Sequence, residues 1–284
     1  MYDDRSKDRL KYWELSEGPF ENTRDSKFFY EGKNHIEALE RLLYSVRDRN
    51  MSFALLTGEI GCGKTLTRTV LENKLDPVYF KVVSLENSSF PFRALLQEII
   101  NKIKGVNQPE RSDADVYALY SEFRFLLIER LAKCSKNLAI IIDEAQQLSE
   151  EALLELKNLT NISGERENYI SVILVGQPEL RQKIKSLPQL DQRVSLRFHL
   201  QEFIQEDIKP YIVHRLLKAG GKRMLFPEEM VQKLIYSATG GNPREINRLC
   251  KLSMDSAYIL GKKVVSEGVV RGVIKDFQVQ DGMM

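Results

Sequence analysis

The chain has 284 residues, 43% of them hydrophobic and 29% charged, with a formal net charge of +2. That length suits one main domain with a smaller appendage, the composition excludes a disordered or fibrous protein, and the near balance of charge neither demands nor excludes DNA. Cys62, Cys134 and Cys250 are odd in number and lack metal-ligand spacing, the charged amino terminus has no apolar leader stretch, and no run approaches the ~18 apolar residues of a membrane span, so a soluble, cytoplasmic protein in a reducing compartment is expected.

The first 33 residues read as a polar, turn-rich arm crowded with Tyr12, Trp13, Pro19, Phe20, Phe28, Phe29 and Tyr30. Aromatic rings at that density need cover, and the expectation is an arm ordered against the domain that follows. From residue 34 the pattern alternates. Short apolar runs rich in β-branched residues at 53–57, 78–83, 138–142, 170–175 and 194–200 are separated by helical periodicity at 34–49, 64–75, 91–104, 113–134, 150–162 and 179–185. Continuous apolar runs of that length suit strands covered on both faces, so the predicted class is α/β, a parallel sheet with flanking crossover helices. Ser88-Ser89 before Pro91, and Ser149 before Glu150-Glu151, supply helix start signals.

Between the first strand and its helix stand Gly58-Glu59-Ile60-Gly61-Cys62-Gly63-Lys64-Thr65, with Leu66 opening the helical run. Glycines let consecutive backbone N–H groups turn inward on a phosphate, Lys64 meets the β- and γ-phosphates, and the Thr65 hydroxyl is a magnesium ligand. The helix that starts at Lys64 adds its N-terminal field. The eight residues therefore predict a P-loop for ATP, with part of the aromatic arm as a candidate wall for the adenine.

Further along, the strand Leu138-Ala139-Ile140-Ile141-Ile142 ends in Asp143-Glu144. Beside a P-loop strand this pair reads as a magnesium-holding Asp143 and a Glu144 that polarises the attacking water. The strand at 170–175 runs into Gly176-Gln177-Pro178, where Gln177 either reaches the γ-phosphate or the lytic water or simply completes a turn. Arg193 and Arg197, in Asp191-Gln192-Arg193-Val194-Ser195-Leu196-Arg197, are candidates for a charge-stabilising arginine, and the sequence does not separate them.

After residue 200 only helices follow, at 205–219, 227–239, 243–260 and 266–277, punctuated by Gly220-Gly221, Gly240-Gly241-Asn242 and Gly261. Arg244 stands at a helix start, where a cation is unfavourable unless an anion lies near. The organisation predicted is an arm at 1–33, an α/β nucleotide-binding domain at 34–200 and a small helical lid at 201–284.

The order of the P-loop, Asp143-Glu144-Ala145-Gln146, Val175-Gly176-Gln177-Pro178-Glu179-Leu180 and Gly240-Gly241-Asn242-Pro243-Arg244 resembles AAA+ ATPases. More narrowly, with Trp13-Glu14-Leu15, Pro19-Phe20, Phe28-Phe29-Tyr30 and the helix from His35, it resembles the ExeA/GspA-type ATPases of secretion and pilus assembly, over nearly the whole chain. The resemblance implies Mg²⁺-dependent ATP hydrolysis at a subunit interface of a ring or filament. Gln177 takes the sensor 1 place, Arg244 the sensor 2 place, and Arg193 or Arg197 acts as the finger in trans. That type commonly continues into a membrane span and a peptidoglycan-binding module, neither of which these residues contain, so a shorter relative serving a secretion or pilus partner is expected. TnsC/TniB transposition regulators share the core and load on DNA. On that alternative Asn101, Lys102 and Lys104 are the candidate contacts.

Overall fold

The computed structural model describes residues 2–86, 90–106, 115–162, 168–227 and 229–280, the side chains of 2–6 and 278–280 excepted. Ser88-Ser89 and Asp113, which figured in the predicted helix starts, lie outside the described residues. Two compact units divide the chain, one of Ile36–Ile60 and Lys64–Leu200, the other of Met1–His35, Gly61–Gly63 and Gln201–Met284.

The first unit is an α/β layer structure. Strands β1 (Phe53–Gly58), β2 (Phe80–Leu85), β3 (Asn137–Ile142), β4 (Ile170–Gly176) and β5 (Val194–Leu200) are all parallel, in the order β2-β3-β4-β1-β5. Every residue of β1, β3 and β4 is buried, as strands covered on both faces must be, whereas the edge strands β2 and β5 show partly exposed positions. The core joins Val83, Leu85, Ile140, Ile142 and Leu174 of the sheet to Leu95, Leu96 and Ile99 of one helix and Leu153 and Leu156 of another. Those helices are Phe92–Lys104 and Glu150–Leu159.

The helix predicted at 113–134 is not continuous. An α-helix over Val116–Phe125 widens into a π turn at Leu126–Leu131 and closes with a 3₁₀ turn at Ala132–Cys134. Leu126, Leu127 and Leu131 of the wider turn are buried in the core of the α/β unit.

Chain-ordered labels for the elements used below are α1 (Tyr2–Trp13), α2 (Lys33–Arg47), α3 (Lys64–Lys74), α4 (Phe92–Lys104), α5 (Val116–Phe125), α6 (Glu150–Leu159), α7 (Glu179–Lys185), α8 (Pro188–Asp191), α9 (Gln205–Lys218), α10 (Glu229–Thr239), α11 (Pro243–Ile259) and α12 (Glu267–Gln280). The second unit is built on α9 to α12, whose core includes Ile208, Ile212, Phe226, Val231, Ile235, Ile246, Leu249 and Val270.

The aromatic arm departs from expectation twice. Its beginning is helical, α1, with Lys11 in the last turn where the helix field favours a cation. Three of its buried rings, Trp13, Phe20 and Phe28, belong to the core of the helical unit and not to that of the α/β unit. The physical reason is Arg215 of α9, buried at 2% exposure. A buried guanidinium needs acceptors, and the arm supplies them: Nε donates to the carbonyl of Pro19 and Nη2 to that of Glu21, while the cation lies 4.4 Å from the centre of the Phe28 ring. Asn247 Nδ2 donates to Asn22 Oδ1 at 3.1 Å, and Lys251 pairs with Glu21 at 2.7 Å, fixing the same stretch. Removing the ring under the cation, Phe28→Ala, should destabilise the helical unit by about 3–5 kcal/mol. Trp13 is the chain's one tryptophan and sits in that core, so a lower urea midpoint by tryptophan emission is the expected reading. An unchanged midpoint would contradict this assignment of the arm.

Candidate active site

The site starts from strand register. Thr57 pairs with Gly176 across β1 and β4, and Ile142 pairs with Leu174 across β3 and β4. Three neighbouring parallel strands therefore end at one edge of the sheet, and Gly58 at the end of β1, Asp143-Glu144 after β3 and Gln177 after β4 emerge there together.

In the loop after β1, Gly61 and Gly63 have φ of 89° and 101°, a region closed to residues with a Cβ except at strain. A Cβ on Gly61 would also lie 2.5 Å from Asn242 Oδ1 and 2.8 Å from Arg244 Cβ. Ile60 is exposed at the loop, Cys62 is fully buried, Lys64 is 7% exposed and Leu66 lies in the first turn of α3. Lys64 Nζ donates to the carbonyls of Gly58 at 2.7 Å and Glu59 at 2.8 Å. These neutral acceptors hold the ammonium inside the loop, where phosphate oxygens are stronger acceptors for the same donors.

Thr65 Oγ1 donates to Asp143 Oδ2 at 3.1 Å, joining the start of α3 to the end of β3. A hydroxyl and a carboxylate side by side are hard oxygen ligands of the kind Mg²⁺ takes, with its remaining positions left to water and phosphate oxygens. These two residues fit the ion and would hold it. Arg68, one turn along α3 and 3% exposed, brings Nε to 3.7 Å from Asp143 Oδ2 and also meets Ser84 and Glu86 at the end of β2.

Glu144 has φ of 51°, an unusual left-handed conformation for this residue, and its N–H donates to Asp143 Oδ1 at 3.0 Å. Such strain is a mark of functional positions. Its carboxylate is held from two sides. Gln146 Nε2 donates to Glu144 Oε2 at 2.6 Å, and Gln177 Nε2 approaches the same oxygen at 3.4 Å. The other end of the Gln146 carboxamide accepts from the Gln177 N–H at 3.2 Å. Gln146 thus ties the strand tip of β4 to the acid of β3, and Lys183 of α7 supports it by donating to the carbonyls of Gln146 and Leu148. A Cβ on Gly176 would stand 2.6 Å from Gln146 Oε1, so the glycine makes room for this bridge.

The remaining candidates are placed as follows. Arg244 follows the cap of α11, where Asn242 Oδ1 accepts its N–H, and the same N–H lies 3.3 Å from the Gly61 carbonyl; its side chain is exposed. Arg193 donates to Asn161 Oδ1 at 3.2 Å. Arg197 pairs with Asp191 at 2.8 Å and donates to the carbonyls of Asp191 and Val194. Among the described residues no hydrogen bond or ion pair joins Arg193 or Arg197 to Thr65, Asp143 or Glu144. The basic pair on α4 is engaged: Lys102 lies 3.5 Å from Glu98, Lys104 pairs with Glu122, and Asn101 is buried against Gln97. Gln146 and Arg68 were missed from sequence. The amide two residues past the acid, and the arginine one helical turn past Thr65, were the available signals.

Residues 47–184 match the family described as AAA domain. Residues 47–184 carry an AAA domain. The chain is 32% identical over 283 aligned positions to General secretion pathway protein A of Aeromonas hydrophila, covering 96% of this chain and 50% of that protein. The chain thus spans about half the length of the curated relative it matches. Solved structures share the AAA+ fold: Aeropyrum pernix ORC1 in complex with DNA (TM-score 0.66, 17% identity, 90% of this chain and 70% of that one), Aeropyrum pernix ORC2 (0.65, 18%, 88% and 71%) and the Thermotoga maritima RuvB Holliday junction branch migration motor (0.57, 17%, 86% and 69%). Among the described residues no helix is long and apolar enough to cross a membrane.

Within the AAA domain, the Gln146 bridge carries its own consequence. Replacing it by alanine frees the Glu144 carboxylate from its shorter bond and the Gln177 N–H from its acceptor. Misplacement of a reacting group by about 1 Å costs on the order of 100-fold, so Gln146→Ala should lower kcat for ATP by about 10- to 100-fold with the dissociation constant for ATP unchanged. Steady-state kinetics beside calorimetry measures both, and an unaltered kcat would remove Gln146 from the site.

Proposed function

We propose that this AAA domain binds ATP with Mg²⁺ in the loop from Gly58 to Thr65, hydrolyses it, and uses the nucleotide state to control its own oligomeric assembly and its engagement of a secretion or pilus-assembly partner in the cytoplasm. The observation that carries the reading is the convergence of Lys64, Thr65, Asp143, Glu144 and Gln177 at adjacent strand ends, with Thr65 bonded to Asp143 and Gln177 beside Glu144.

The residue roles follow from their chemistry. Gly58, Glu59, Ile60, Gly61, Cys62 and Gly63 supply the backbone of the phosphate cradle, Lys64 gives up the Gly58 and Glu59 carbonyls for phosphate, and Leu66 continues the helix whose N-terminus faces the anion. Thr65 and Asp143 hold the magnesium ion, which when bound neutralises charge on the phosphates. Glu144 takes the proton of the attacking water, and Gln177 orients that water. Arg244 is an exposed cation at a helix start whose guanidinium has no hydrogen bond or ion pair among the described residues, which suits a sensor of bound phosphate. Of the two candidate fingers, Arg197 is committed to a carboxylate and two carbonyls, whereas Arg193 holds one neutral amide. We therefore assign the finger acting on a neighbouring copy to Arg193. The secretion reading is supported by the 32% identity to General secretion pathway protein A. The DNA-loading alternative is weaker because Lys102 and Lys104 already face carboxylates.

Lys64→Ala should abolish ATP binding by calorimetry, and retained tight binding would overturn the cradle. Glu144→Gln should bind ATP while turnover falls by 10²-fold or more, on the order expected for loss of a general base; near-normal turnover would remove Glu144 from that role.

The assembly part is tested separately. Glu144→Gln with Mg²⁺ and ATP should form a larger species by light scattering, and an unchanged monomer would count against nucleotide-driven assembly. Mixing Arg193→Ala with Lys64→Ala subunits should restore some hydrolysis, since each supplies what the other lacks. Rescue by Arg197→Ala subunits alone would reassign the finger to Arg197.

A further inference from the structure

His35 lies in the first turn of α2 and is 4% exposed. Its Nε2 is 2.9 Å from the carbonyl oxygen of Cys62 in the P-loop, and residues up to His35 and Gly61–Gly63 belong to the same compact unit. A carbonyl oxygen only accepts, so Nε2 carries the hydrogen and Nδ1 is the bare nitrogen of the ring. Nδ1 is buried with no hydrogen-bond partner among the described residues. The ring is set between aromatic neighbours, 4.9 Å from the Phe203 centroid and 6.2 Å from that of Phe29.

A residue wanted here for packing alone would be phenylalanine. It would fill the same space between Phe29 and Phe203 and leave no unsatisfied buried nitrogen, a group proteins rarely tolerate. Among the described residues the single polar bond that imidazole makes is the one to Cys62. That bond has a geometric consequence. The Cys62 carbonyl and the Gly63 N–H belong to one planar trans peptide and point in opposite directions. Anchoring the oxygen on the His35 side therefore turns the Gly63 N–H to the other side. Gly63 immediately precedes Lys64, so its amide is one of the donors on which a P-loop depends. The approach is close: a Cβ on Gly63 would stand 3.1 Å from His35 Nε2, and Gly63 has φ of 101°.

We infer that His35 is a positioning residue of the nucleotide site, whose Nε2–H grips the Cys62 carbonyl and so aims the Gly63 amide at the phosphate. This rests on the phosphate-cradle reading above. Burial holds the imidazole below its ordinary pKa, with the Cys62 carbonyl and the charge of Asp207 pulling the other way, which keeps the ring in the neutral form. The role predicts which substitutions matter. Losing the donor should weaken ATP binding, whereas keeping a donor on a different side chain should preserve it, even though the aromatic packing is then lost.

The test uses the full chain with two variants and one measurement on the wild type. His35→Phe keeps the ring and drops the donor; it should raise the dissociation constant for ATP about tenfold, the scale of one amide contact to a charged ligand, with kcat at saturation changed far less. His35→Gln keeps an N–H donor at a similar reach and should recover most of the affinity. Wild-type affinity in His35→Phe, or equal losses in both variants, overturns the proposal. Lys64→Ala run alongside separates the two ideas: if it still binds ATP the cradle itself falls, while a null Lys64→Ala with an unaffected His35→Phe removes only His35. Should His35→Phe fail to fold, nitrogen-15 spectra of the wild-type imidazoles decide. A hydrogen on His35 Nε2 is required, and finding it on Nδ1 overturns the inference.

Discussion

The alignment of parallel strands is the constraint on which the α/β unit depends. In a parallel ladder the chain direction is shared, so the carboxyl ends of β3, β4 and β1 come out at one edge, and the pairings Ile142 with Leu174 and Thr57 with Gly176 set how far each extends. A slip of one residue in β3 would carry Asp143 away from Thr65 and turn its side chain to the other face. Full burial of the three central strands makes such a slip expensive, because it would force Asp143 or Asn137 into the place of an isoleucine or leucine. The apolar run that looks like mere core is thus what holds the polar residues in register.

Around that edge the charges are managed by bonds to backbone and amide groups. Lys64 is held by two loop carbonyls, Glu144 by the amides of Gln146 and Gln177, and Asp143 by the Thr65 hydroxyl and the Glu144 N–H. Each of these partners is neutral. A neutral partner holds a charged group in place yet yields to an ionic one, as the proposed binding of ATP with a divalent cation requires. Arg68 is the exception, a buried cation among Asp143, Glu72 and Glu86. In the helical unit Arg215 follows the same logic by taking backbone carbonyls of the arm as its acceptors.

Much of this was legible in the sequence. The five strands, the P-loop, Asp143-Glu144 and the four later helices follow from local rules: continuous apolar runs, glycines at positions that need positive φ, and glycine stops. What escaped was non-local. Nothing in the arm's composition says which core will take Trp13 and Phe28, because that depends on Arg215 lying some two hundred positions away. The π turn at Leu126–Leu131 escaped because periodicity assumes a constant turn. Lys104 looked available until Glu122, on α5, was seen against it.

By itself, then, the sequence determined the class of fold and the local shape of the loop after β1, since the positive φ of Gly61 and Gly63 and the helix start at Lys64 are consecutive backbone geometry that short-range order specifies. Only the tertiary structure decided how the acid, the amides and the imidazole meet. Gln146 against Glu144 and Gln177, and His35 against Cys62, join side chains to groups brought near by strand register and by packing. Hydrogen bonds act over about 3 Å, and no spacing along the chain reveals which distant atoms come within that reach.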